Sequence, residues 1–230
     1  MLLSTARLSI FNFKITASLT LSALLVLSSA PIFQETPAQA ASVSASSALA
    51  DLDVKGRAPK TGYAREQFGD GWGDIGECDT RNYILRRDLT QITWRNSPRC
   101  TVATGILKDP YTAKTINFVR GVATSIEVQI DHVVALSDAW QKGAQKLSFA
   151  SRVQFANDPL NLLAVDGPTN SSKSDSDAAS WLPPNKAYRC TYVARQVAVK
   201  RKYQLWVTSA ERDAIARVLK ACPGQKLPTK

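Results

Sequence analysis

The sequence predicts an α+β fold, and three observations point to it. β-branched runs that read as strands cluster between residues 90 and 119 and recur at 125–136 and 160–165. Stretches with helical spacing lie between and after them, and two of these fill the C-terminal end. Four cysteines, an even number, suit a domain stapled by two disulfides.

Taken in order, residues 1–40 read as a signal peptide. Arg7 and Lys14 give a basic start, Ile15 to Ala30 is apolar and uncharged, and Pro37-Ala38-Gln39-Ala40 offers an A-x-A cleavage site. The apolar run is short for a membrane span, which needs about 20 residues. Cleavage after Ala40 is therefore expected, leaving no membrane segment in the mature form. Residues 41–60, rich in Ala and Ser and without periodicity, read as a flexible leader. Residues 61–230 are expected to form a single domain. Gly69 to Asp74 is a turn-rich loop. Thr80 to Leu89 reads as a helix, and strands are expected at 90–94, 101–107 and 115–119. A strand from Ser125 to Leu136 precedes a helix from Ser137, as N-cap, to Leu147, with Gly143 a weak point inside it. A short helix at 148–157, a strand at 160–165 and a helix capped by Thr169 and running to about Ala179 come next. Residues 185–203 and 209–221 read as terminal helices.

Cys78, Cys100, Cys190 and Cys222 all fall in the mature region, as expected of an exported chain. Three pairings are open; Cys78 with Cys100 and Cys190 with Cys222 is favoured because each closes a local loop. A zinc site is disfavoured, since there is no C-x-x-C pair and the single histidine is distant. Loss of Arg7, Lys14 and Glu35 takes the formal charge from +10 to +9. So basic an exported protein is drawn to polyanions: nucleic acid, anionic lipid or acidic wall polymer.

The only histidine, His132, follows Asp131 in a β-branched run. Imidazole titrates nearest neutrality, so any imidazole proton transfer must use this residue. Asn161 opens the next strand, and Asn170 and Lys173 lie one helical turn apart after the turn Asp166-Gly167-Pro168. Strand, connection, strand and helix thus bring polar groups together. Phosphodiester hydrolysis needs a base, a cation to offset charge on phosphorus and the leaving oxygen, and positive groups for the phosphates. His132 suits the base, Asp131 and Asn170 are hard oxygen ligands suited to Mg²⁺, and Lys173 suits phosphate.

These residues resemble an HNH endonuclease, of the ββα-metal or His-Me finger superfamily. The resemblance rests on Asp131-His132-Val133-Val134, Asn161-Leu162-Leu163 and Asn170-x-x-Lys173. The chain is more closely similar to exported HNH proteins related to the nuclease domain of GmrSD-type restriction enzymes. That similarity spans roughly Tyr63 to Cys222 and includes Cys78-Asp79-Thr80-Arg81-Asn82, Asp109-Pro110-Tyr111, Asp138-Ala139-Trp140 and Trp181-Leu182-Pro183-Pro184. It implies a ββα-metal core with added N-terminal strands and C-terminal helices. It implies His132 as general base, Asp131 and Asn170 as metal ligands for Mg²⁺ or Mn²⁺, Asn161 as a brace for the histidine loop, and Lys173 near the scissile phosphate. The expected function is a secreted (or periplasmic), monomeric, metal-dependent endonuclease with little sequence specificity, acting on DNA in preference to RNA. The alternative is a non-catalytic secreted protein that binds nucleic acid or cell-wall polymer on the same scaffold. A third reading is a structural, disulfide-stapled domain.

Arg81 is the further candidate for substrate binding; with Arg86 and Arg87 it could equally be a solvated helix face. Asp175 and Asp177 read as solvated surface, and the five tryptophans mainly as packing residues. Arg189, Arg195, Lys200, Arg201 and Lys202 read as an ordinary basic helix more readily than as a DNA track.

Overall fold

A two-stranded antiparallel sheet, buried on both faces, organises the molecule. In the computed structural model, which describes residues 43–95 and 99–229, β6 (Val128–His132) pairs with β7 (Leu162–Asp166), His132 opposite Leu162 and Val128 opposite Asp166. Val128, Ile130, Leu162 and Ala164 face one apolar cluster, and Leu163 and Val165 face another. Such two-sided burial explains why the strand at 162–165 is continuously apolar rather than alternating. The sheet stops at two strands because carboxylates satisfy the outer edge of β7. Asp88 accepts from the Ala164 amide at 2.8 Å and Asp109 from the Asp166 amide at 3.0 Å.

Helix α2 (Thr80–Asp88) starts at Asp79, whose carboxylate accepts from the Asn82 amide, and buries Ile84 and Leu85 against this sheet. It leads into the three-stranded antiparallel sheet β3 (Leu89–Trp94), β4 (Val102–Lys108) and β5 (Thr115–Val119), preceded by the two-residue strands β1 (Asp74–Ile75) and β2 (Cys78–Asp79). After β6, α3 (Leu136–Gln141) and α4 (Phe149–Ala156) pack with Phe68, Trp140 and Tyr203 in a further cluster. Helix α5 (Gly167–Lys173) follows β7 directly. A Cβ at Gly167 would lie 2.0 Å from the Ile126 carbonyl oxygen, so only glycine lets α5 start this close to the loop before β6.

Helices α6 (Arg189–Lys202) and α7 (Ser209–Lys220) close the chain. Against them docks α1 (Ala45–Ala50), with Ala45, Ala48 and Leu49 buried and Ser44 as its N-cap. This corrects the expected flexible leader: small alanines seat a short helix closely, and the following residues are held by backbone bonds from Lys55 to Val207 and from Ala58 to Gln141. The expected signal peptide at 1–40 lies outside the described residues. Among the described residues no helix is long and apolar enough to cross a membrane. Both favoured disulfides form, with Cα atoms 5.1 Å apart for Cys78–Cys100 and 6.3 Å for Cys190–Cys222.

Two expected helices end early. The 137–147 helix starts at Leu136 without a side-chain cap and stops before Gly143, whose φ of 125° no helix accommodates. Helix α5 is capped by Asp166, which accepts from the Thr169 amide, and it ends at Ser174 with φ 53° instead of running to 179. Asp177, expected on the solvated surface, is buried instead. It pairs with Lys142 at 2.7 Å and with Arg57 at 2.7 Å.

Candidate active site

Among the described residues β6 pairs with a strand on one side only, and on its other edge side chains reach the carbonyls of Val128 and His132. Along that edge runs a cleft of about 440 Å³ lined by four consecutive residues, Gln129 to His132, together with Asn170 and Asp175. Neighbours on a strand point to opposite faces. A cleft that wraps a strand edge reaches both, which is how Asp131 and His132 come to share it.

His132 is 8% exposed. Its Nε2 lies 2.9 Å from the Ala156 carbonyl oxygen. A carbonyl can only accept, so Nε2 carries the proton and Nδ1 keeps the lone pair. Trp72 stacks on the ring, centroids 5.7 Å apart and planes 13° from parallel. Burial lowers the imidazole pKa to about 4; the Ala156 bond and Asp131 oppose this, while the charges of Arg65 and Lys173 add to it. The histidine is therefore neutral at physiological pH, with one tautomer fixed, as a general base must be.

Asn161 clamps the segment after the histidine. Its side-chain oxygen accepts from the Val134 amide at 2.8 Å, its nitrogen donates to the Val134 carbonyl at 3.2 Å, and its own carbonyl accepts from Val133. It is fully buried and does not line the cleft.

Asp131 is held from behind. Lys173 donates to one carboxylate oxygen at 2.9 Å and to the His132 carbonyl at 3.0 Å, and the Tyr111 hydroxyl donates to the other oxygen at 2.5 Å. Burial, then the neighbouring Asp131, pushes the Tyr111 hydroxyl well above the ordinary tyrosine range, which keeps it a donor. Lys173 was expected near a scissile phosphate. It is instead fully buried, and its ammonium is engaged with Asp131 and the backbone. A flexible four-carbon stem carries its charge under the strand, where it offsets the buried carboxylate.

Asn170 donates from its amide nitrogen to the Gln129 side-chain oxygen at 2.9 Å, which leaves the Asn170 oxygen as acceptor. Asp131, Gln129 and Asn170 thus present hard oxygens to one cleft, and the carboxylate has lone pairs beyond the two it uses. The donor chemistry fits Mg²⁺ or Mn²⁺. Among the described residues no group of three or more His, Cys, Asp or Glu is arranged as a metal site, so any ion here would be held by few protein ligands.

Arg81, a candidate for substrate, lies elsewhere. Its guanidinium donates to the carbonyls of Val128 at 3.1 Å and Ser125 at 3.4 Å, tying α2 to the entry of β6 where strand pairing does not reach those oxygens. Arg87 is likewise occupied by Asp88 and the Leu162 carbonyl. Lys200 is buried between Asp138 and Glu211, and Arg195 donates to the Leu160 carbonyl, so the basic helix is mostly structural. Sequence reasoning did not single out Gln129, Tyr111 or Arg65 as site residues. Gln129 had a signal available, since i−2 from Asp131 lies on the same strand face.

Fold and cleft together define a disulfide-stapled α+β protein with an Asp–His strand facing an Asn-bearing helix. Residues 79–218 match the family described as GmrSD restriction endonucleases, C-terminal domain, and the chain belongs to that family. It is also 38% identical over 213 residues to a protein of Arthroderma benhamiae named "Uncharacterized secreted protein"; the match covers 91% of this chain and all of that relative.

Proposed function

We propose that the protein is a secreted, metal-dependent endonuclease of the HNH type that hydrolyses phosphodiester bonds of nucleic acid, DNA foremost, with little sequence specificity. The observation that carries this reading is the fixed tautomer of His132: a buried, neutral imidazole, anchored through Nε2, in a cleft shared with two hard-oxygen residues. His132 Nδ1 takes the proton from the attacking water. Asn161 keeps that ring in place by fixing the backbone at Val134. Asp131 and Asn170 would hold a Mg²⁺ or Mn²⁺ ion, with Gln129 orienting the Asn170 amide. When bound, the ion supplies charge to offset the phosphorane and the leaving oxygen. Lys173 and Tyr111 fix the Asp131 carboxylate. Export of the chain is supported by the residues 1–40 pattern and by the relative's name.

Nicking of supercoiled plasmid by residues 41–230, in Mg²⁺ or Mn²⁺, tests the reading. Activity should be abolished by EDTA and reduced at least about a hundredfold in His132→Ala, the scale of a lost general base. A wild-type protein inert on DNA and RNA across both ions would overturn the reading.

A further inference from the structure

We propose that Arg65 grips a backbone phosphate of the substrate beside His132, and that the segment from Lys55 to Phe68 is the rigid wall that presents it. This assignment rests on the phosphodiester reading of the cleft. The segment lies before the matched family region at 79–218.

Two cavities share His132 in their lining, and Arg65 lines both. Among the described residues it is the exposed cation at this site without an ion pair or side-chain hydrogen bond. Lys60, also at the cleft, is paired with Asp175 at 3.2 Å, and Lys173 is buried against Asp131. Arg65 also lies close enough to depress the imidazole pKa through its charge. A free guanidinium offers a planar fork of donors that matches two phosphate oxygens.

Its mount is firm although much of the segment is exposed. Arg57 reaches inward to Asp138 at 3.1 Å and Asp177 at 2.7 Å. The carbonyls of Gly56, Pro59 and Thr61 accept from Trp206, Gln145 and Trp140. Phe68, three residues past Arg65, is buried against Trp140 and Phe155. These anchors fix the backbone that carries Arg65, so binding has to order its side chain and not the segment.

The test measures binding and cleavage separately. Binding of a fluorescein-labelled oligodeoxynucleotide is followed by anisotropy in EDTA over a range of salt, and plasmid nicking in Mg²⁺ or Mn²⁺ gives KM and kcat. Arg65→Ala should weaken binding about tenfold and lower the slope of log K against log salt by about one. Its KM should rise more than its kcat falls. Arg65→Lys should recover part of the affinity, because it restores the charge and not the fork. Arg212→Ala, which removes an exposed cation paired with Asp213 on α7, should bind and cut as wild type. If Arg65→Ala matches wild type in affinity and salt slope, the assignment is wrong, and wild-type nicking would leave the nuclease reading standing. If Arg65→Ala loses affinity while wild type cuts nothing, Arg65 keeps its role and the hydrolytic reading falls. A wild-type protein that neither binds an oligonucleotide nor nicks plasmid overturns both.

Discussion

His132 stands between two kinds of control, a carbonyl that fixes its tautomer and an indole that covers its face. Its titration also couples to folding. The unfolded imidazole takes a proton near pH 6.5 and the folded one only near pH 4. Between those values the unfolded chain binds the extra proton, so acid favours unfolding. The histidine's share of stability is intact above about pH 6.5 and is lost as pH falls toward 4, on the order of 3 kcal/mol in all. Urea denaturation in EDTA at pH 7 and pH 4.5 should show wild type losing more stability than His132→Asn; parallel losses would mean the ring does not titrate in this way. That this histidine would share a cleft with Asp131 was legible in the sequence, because it is the single imidazole and stands beside that carboxylate. The position of Lys173 was not. Spacing set it one turn from Asn170, but whether a long flexible side chain reaches out to solvent or under a strand depends on what is buried there, here the Asp131 carboxylate. Trp72 reaches the histidine through a glycine-rich loop, a meeting no local pattern encodes.

Elements with strong local signals were readable. β5 falls at 115–119 as the β-branched run predicts, and α2, α4 and α7 lie within a residue or two of their expected bounds. Their caps, Asp79, Ser148 and Thr208, all accept from amides of the first turn. Where the reading failed, tertiary contacts decided. The Ser137 hydroxyl donates to Asp175 rather than capping a helix, and Gly143 turns the chain beneath Trp206. Gly143→Ala should therefore cost about 1–3 kcal/mol, since the residue has φ 125° and a new Cβ would sit 3.2 Å from the indole. Thermal unfolding checks this. An unchanged midpoint would mean that the turn relaxes freely.

On the scale of the whole molecule, a buried ionic network joins parts distant in sequence. Lys142 contacts Asp138 at 2.6 Å, Asp177 at 2.7 Å and Glu211 at 2.6 Å, while Lys200 contacts Asp138 and Glu211 and Arg57 contacts Asp138 and Asp177. Three cations thus face three carboxylates. Burial works against the charge on Lys200, yet Asp138 and Glu211 hold its pKa above the ordinary lysine value. Burial likewise pushes Asp177 upward, and Lys142 and Arg57 outweigh it and bring it below the usual carboxylate value. Lys142→Met would strand acidic groups in the interior and should cost roughly 3–5 kcal/mol in urea denaturation. None of this was visible in a sequence where each charge, taken singly, reads as surface. The same long-range logic hid the docking of α1: its alanines acquire meaning only beside α6 and α7. Its neighbours carry a practical corollary. Val43 and Ala45 exchange backbone hydrogen bonds with Leu227 and Gln225, and Ser44 bridges Lys226. Cargo attached just before Val43 and just after Leu227 would emerge side by side, and a linker of a few residues could splice these two points into a circle without disturbing the cleft.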